Sequence, residues 1–224
     1  MRERSAWRGT MTDGAGPVLD APTAALVRVA AAVARGKAPE LEARFTAARD
    51  ARVPGLWIEE LLLQSMLVVG YPLALVAFAA WRAVGGPAPV EGDGAEDLAH
   101  ANWESWAARG AAVCREVYGR AYHKLLVNLR ALHPALEDLV IVDAYGKVIG
   151  RPGFDLKRRE LCTVATTAVL GTAEQLHSHL RGALNTGASG PEVEAVLTLI
   201  EGDLDAAQRR IADEQWRDVK LRKL

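Results

Sequence analysis

Two residues of this chain have the types and spacing needed to move a proton: Glu160 and His179. They lie on consecutive apolar-periodic segments joined by a short turn at Gly171-Thr172. In an antiparallel helical hairpin, residues equidistant from the turn face each other. Position 164 then lies near 179, and Glu160 one turn further along. A helical turn rises about 5.4 Å, so the carboxylate reaches the imidazole directly or through water. A carboxylate that orients a histidine makes a general acid/base suited to work near neutral pH. The competing role for the pair is a structural hydrogen bond between two helices.

Cations crowd the same hairpin: Arg151, Lys157, Arg158, Arg159 and Arg181. An arginine holds a carboxylate with a bidentate fork, and Arg159 and Arg151 are the candidates to bind an acidic substrate. Lys157 and Arg158 read as a solvated first turn. His177 is two positions from His179 and points to another helix face, so no metal site is expected from the two. Cys162 falls on the apolar side with Leu161 and Ala165, as a small buried hydrophobe does. The loop from Gly150 to Gly153 either lines a pocket or turns the chain.

The elements that must position these residues occur twice. Arg159 to Leu197 superposes without a gap on Ala24 to Leu62, an offset of 135 residues (Ala24 on Arg159). Leu26/Leu161, Val29/Val164, Gly36/Gly171, Leu41/Leu176, Gly55/Gly190, Glu59/Glu194 and Leu62/Leu197 coincide. Apolar residues and glycines, which set helix faces and turns, are shared. The polar chemistry is not: Glu160 meets Ala25, and His179 meets Arg44. One copy reads as scaffold, the other as site.

Composition agrees with an all-helical chain. Of 224 residues half are hydrophobic and few aromatic, and alanine and leucine dominate, which favours helix. Periodicity predicts helices at about 22–35, 39–50, 57–69, 72–84, 96–118, 121–131, 134–148, 156–170, 173–186, 191–201 and 203–220. Val140-Ile141-Val142 has strand propensity, but its context favours helix. Ser189-Gly190-Pro191 with Glu192 marks one helix start, and Gly187 closes the helix before it.

The formal charge of −1 gives no basic surplus for phosphates, so nucleic acid is not an expected partner. The two cysteines, Cys114 and Cys162, have no metal or redox spacing and suit a reducing cytoplasm. Residues 1–20 read as a flexible N-terminal arm without a signal peptide. Residues 86–95 form a linker between a partial repeat at 21–85 and the site-bearing domain at 96–224. Leu61 to Trp81 carries no charge and is long enough to span a bilayer. Gly70-Tyr71-Pro72 interrupts it, however, and predicts two buried helices and no membrane span.

These residues carry a resemblance. YGKVIGRPGFD (Tyr145–Asp155), RELCTVA (Arg159–Ala165), LG (Leu170–Gly171), QLHSHLRGALNTGA (Gln175–Ala188) and PEVEAVL (Pro191–Leu197) resemble the carboxymuconolactone decarboxylase family. EELLLQSMLVVGYPLALVAF, Glu59 to Phe78, resembles that family's C-terminal pattern. The resemblance implies an all-α, alkylhydroperoxidase-D-like bundle, here as two degenerate repeats. Peroxidase relatives carry a CxxC pair where this chain has Thr172 and Gln175, while their glutamate and histidine match Glu160 and His179. The implied activity is therefore a lyase acting on a small carboxylated lactone or related acid, without cofactor or metal. It also implies Tyr71 near the substrate cavity and a homo-oligomer, a trimer of fused repeats. Against the family pattern, Lys147 replaces a common acidic residue, and the Tyr-Pro helix pair is present only in the first half.

Overall fold

The computed structural model describes residues 18–87 and 102–222, all helix and connecting turn with no strand among them. Helices α1 (Ala21–Arg35), α2 (Ala38–Asp50) and α3 (Gly55–Ala83) make up the first part. After the segment outside the described residues come α4 (Trp103–Tyr118), α5 (Tyr122–Leu132) and the short α6 (Leu136–Asp138). A π-helical stretch, Leu139–Ile149, continues from α6. The chain ends with α7 (Leu156–Leu170), α8 (Ala173–Asn185), α9 (Gly190–Leu199) and α10 (Ala206–Leu221). Most of the expected 86–95 linker, the arm through residue 17 and the start of the expected 96–118 helix lie outside the described residues.

The repeat offset holds down to individual caps. Asp20 and Asp155 cap α1 and α7, each accepting from a backbone N–H of the first turn, at 2.7 and 3.0 Å. Gly36 and Gly171 close the same two helices in the left-handed conformation, at φ 66° and 68°. Arg52, at φ 58°, occupies the position of Gly187, at φ 95°. The correspondence also runs further than Leu197. Gly70 breaks α3 at φ 74° and ψ 168°, where Asp205 caps α10 in the second copy. Beyond that break, the Trp81 indole donates to Glu59 at 2.5 Å and the Trp216 indole donates to Glu194 at 2.9 Å. The second half therefore does have the helix pair; only its Tyr-Pro signature is missing. A capped break replaces the glycine kink.

Residues of α1, α2, α3, α7, α8, α9 and α10 share one apolar core. Helix α7 runs through it, buried from Arg159 to Val169. Its threonines satisfy their hydroxyls on their own helix: Thr163, Thr166 and Thr167 donate to the carbonyls of Arg159, Cys162 and Thr163 at 2.8–3.0 Å. A smaller core gathers Cys114, Val117, Tyr122, Ile141, Tyr145 and Ile149 under α4, α5 and the π-helical stretch. Two glycines make that packing possible. A Cβ on Gly110 would stand 1.8 Å from the Ile141 carbonyl oxygen, and one on Gly146 would stand 2.4 Å from that of Trp106.

Three expectations need correction. The helix expected at 134–148 is α-helical only at Leu136–Asp138 and π-helical over Leu139–Ile149, a distinction that a 3.6-residue period does not make. Arg158 is no solvated side chain. It donates to Asp20, Asp155 and Thr23 and stacks 4.5 Å from the Trp57 ring centre, stitching both N-caps together. The charge-free segment of α3 is not wholly buried either: Leu67, Tyr71, Leu75 and Val76 are exposed. By length and composition α3 is the one described helix apolar enough to cross a membrane. It also buries Glu59, Glu60 and Gln64 in the protein core.

The cap cluster makes a pH prediction. Burial works to raise the Asp155 carboxyl, but hydrogen bonds and charge from Arg158 outweigh it and hold it below its usual value. At Asp20 burial is outweighed first by hydrogen bonds from Thr23 and then by Arg158, and its carboxyl is lowered too. Carboxyls lowered on folding stabilise the fold above their unfolded pKa, and that stability is lost as pH falls through the folded pKa. Thermal melts should therefore weaken below about pH 4. Asp155→Asn should flatten this acid limb and cost about 1 kcal/mol or less at neutral pH. An unchanged acid limb would dismiss the cluster as its source.

Candidate active site

The α7–α8 hairpin brings Glu160 and His179 into direct contact. His179 Nδ1 lies 2.9 Å from Glu160 Oε2, with the carboxylate almost fully buried and the imidazole partly open. With Nδ1 engaged, Nε2 is the ring nitrogen left to meet a ligand. Gly182, one turn beyond His179 on α8, makes room for the carboxylate: a Cβ there would sit 2.3 Å from Oε2. A mid-helix glycine costs about 1 kcal/mol relative to alanine, which was the signal in the sequence. Gly182→Ala should accordingly displace Glu160 and lower turnover at least about tenfold, despite its better helix propensity. Full activity in this variant would refute the close packing.

The pair opens on a cavity of about 260 Å³ where the two cores meet. Glu160, Thr163, Gln64 and Tyr145 form its buried floor, and Leu67, Leu170, Thr172 and Gln175 its exposed mouth. The π-helical stretch supplies another wall. Its i→i+5 bonding widens the turn, so that Val140, Tyr145 and Ile149 share the lining face. Tyr118, the last residue of α4, also reaches the cavity. No local pattern announces Tyr118, and the Glu59–Phe78 pattern that contains Gln64 does not say what it packs against; tertiary packing puts α4 and α3 beside the hairpin.

The residues expected to bind substrate lie elsewhere. Arg159 has no exposed surface. Its guanidinium donates to Glu60 at 2.8 Å, to Gln64 at 3.3 Å and to the carbonyls of Phe154 and Arg151. Burial drives its pKa down, against the opposing pull of Glu60. Arg151 donates to the other Glu60 oxygen at 3.0 Å. Neither arginine lines the cavity, and neither does Tyr71, which is 67% exposed just past the Gly70 break. Glu60, which belongs to the Glu59–Phe78 stretch carrying the family resemblance but was not singled out there, holds both arginines inward.

The thiols are also away from the cavity wall. Burial, then the Glu160 charge, pushes Cys114 up to about 12, and burial raises Cys162 further. Neither supplies a thiolate at neutral pH. His177 faces α10, with Nδ1 3.4 Å from Asp218. No group of three or more potential metal-ligating side chains occurs among the described residues.

The sequence model of the carboxymuconolactone decarboxylase family matches residues 4–83 and 140–212, well over half the chain. The chain belongs to this family. The two matched regions contain the two copies of the repeat. A 4-carboxymuconolactone decarboxylase of Acinetobacter baylyi is 28% identical over 118 residues, covering 50% of this chain and 88% of that protein.

Proposed function

We propose that this family member is a cofactor-free lyase that removes a carboxyl group from a small carboxylated lactone or related acid. The observation that carries the reading is the Glu160–His179 contact on the wall of a cavity open to solvent. Protonated His179 delivers a proton from Nε2 to the carbon that retains the electron pair after carbon dioxide leaves. Glu160 holds the ring through Nδ1 and stabilises the imidazolium. The similarity to a 4-carboxymuconolactone decarboxylase supports this reaction class. A helical module retained only for assembly would instead fill the cavity with side chains and seal the pair from water. An open cavity and a partly exposed imidazole favour the enzyme.

The test is release of carbon dioxide by the purified chain from 4-carboxymuconolactone and a panel of carboxylated lactones. Release above the uncatalysed background is expected for at least one; background rates across the panel would sink the reading.

A further inference from the structure

We propose that Tyr118 is a catalytic hydrogen-bond donor to the carbonyl oxygen of the substrate, with Tyr145 positioning it. The substrate class is then an acid whose carboxyl-bearing carbon is bonded directly to a ketone or lactone carbonyl, or is joined to it through an intervening double bond. The inference rests on the proton-transfer reading of this site.

Removal of a carboxyl group leaves an electron pair that must be accommodated. Among the described residues no lysine or arginine lines the cavity, since Arg159 and Arg151 are committed to Glu60. Neutral donors have to meet the charge, and most on the wall are already used. The Gln64 amide donates to the Arg159 carbonyl at 2.9 Å and to Thr163 Oγ1 at 2.8 Å. Thr163 and Thr167 donate to backbone carbonyls of α7. The Thr172 hydroxyl is directed at the Thr167 carbonyl, 3.4 Å away. That leaves Tyr118 within the cavity and Gln175 at its exposed mouth.

The two tyrosines are built as a unit. Their rings meet edge to face, with centroids 6.2 Å apart at 73°. Tyr145 is buried while Tyr118 is half-buried, so the deeper phenol supports the outer one. A phenol has one proton to give, and in this assignment Tyr118, which lines the cavity, gives it to the ligand. Burial, then the neighbouring Glu160 carboxylate, pushes Tyr118 up to about 12, so it stays a donor at neutral pH. A preorganised donor aimed at developing negative charge is among the strongest devices for stabilising a transition state.

The step balances without a co-reactant other than a proton. The bond from carbon to the carboxyl group breaks and carbon dioxide leaves. The electron pair passes through the conjugated system to the carbonyl oxygen, which becomes an enolate accepting from Tyr118. The enolate then takes a proton at carbon from protonated His179, restoring the carbonyl, and solvent returns the proton to the imidazole.

The experiment uses 4-nitrophenol, whose phenolate oxygen mimics the enolate, titrated against the full chain by absorbance. Wild type should bind it and show the phenolate band at a pH where the free probe is mostly neutral. Tyr118→Phe should weaken binding at least about tenfold and lower kcat for decarboxylation about a hundredfold. Tyr145→Leu, which removes the supporting ring, should give a smaller loss of phenolate band and a fall in kcat with KM nearly unchanged, and Tyr145→Phe, which keeps the ring, should restore both. Equal affinity in wild type and Tyr118→Phe, or no binding to wild type, would overturn the assignment. Tyr118-dependent binding by a protein that releases no carbon dioxide would support the donor and sink only the decarboxylase reading.

Discussion

Substituting glutamine for Glu160 should lower turnover about a hundred- to ten-thousandfold, the range set by a working acid/base group, and His179→Ala should lower it at least as far. The geometry explains why the carboxylate matters as much as the ring. Glu160 Oε2 lies 2.9 Å from Nδ1, so it fixes the tautomer that turns Nε2 toward the cavity. A glutamine keeps the volume but removes the charge that stabilises the imidazolium, and its amide can hold the wrong tautomer. Because the two residues act as one unit, the double variant should be little worse than His179→Ala alone. Steady-state rates on a carboxylated lactone measure this, with circular dichroism to show that the helices persist. Full activity in Glu160→Gln would reduce the contact to a structural tie between helices. Additive losses in the double variant would argue that the residues act separately.

Glu60→Ala should produce the largest loss of stability, about 3–5 kcal/mol, through the cost of leaving a buried charge unpaired. Glu60 lies in the core with one oxygen on each of two arginines. Without it, the fully buried Arg159 guanidinium keeps only Gln64 and two backbone carbonyls. For a chain of this length the melting temperature should fall by roughly 6–20 °C. The cluster as a whole is worth much less than the cost of breaking it. Replacing all three members, as in Glu60→Leu with Arg151→Met and Arg159→Met, should recover most of the loss. Thermal unfolding of the two variants decides between a buried ion pair and an arginine reserved for substrate. If Glu60→Ala melts like wild type, Arg159 does not depend on Glu60.

These two networks show how far local reasoning reaches. Glu160 and His179 were legible because both belong to one hairpin, where helix rise and a left-handed glycine constrain the distance. The Gly36 and Gly171 turns and the helix start marked by Ser189 and Glu192 were legible for the same reason, whereas the caps Asp20 and Asp155 emerge only in the structure. The fate of Arg159 was not. Beside a candidate catalytic glutamate it has the chemistry of a substrate ligand, and only the arrival of Glu60 from α3 makes it a core ion pair. Tyr71 had the same difficulty in reverse, since the Gly70 break turns it to solvent.

The sequence by itself determined the helical class, the duplicated hairpin and the asymmetry between its copies. Helix periodicity, capping and glycine turns act over a few residues and recur at a fixed offset. Tertiary structure decided which of the polar residues share a cavity. It set Tyr118 and Gln64 on the wall beside Glu160 and His179, withdrew Arg151 and Arg159 into the pairing with Glu60, and made a π-helix of the stretch packed on α4. Those outcomes depend on which surfaces meet when distant helices pack, and on charges seeking partners once water is excluded, neither of which is written in local spacing.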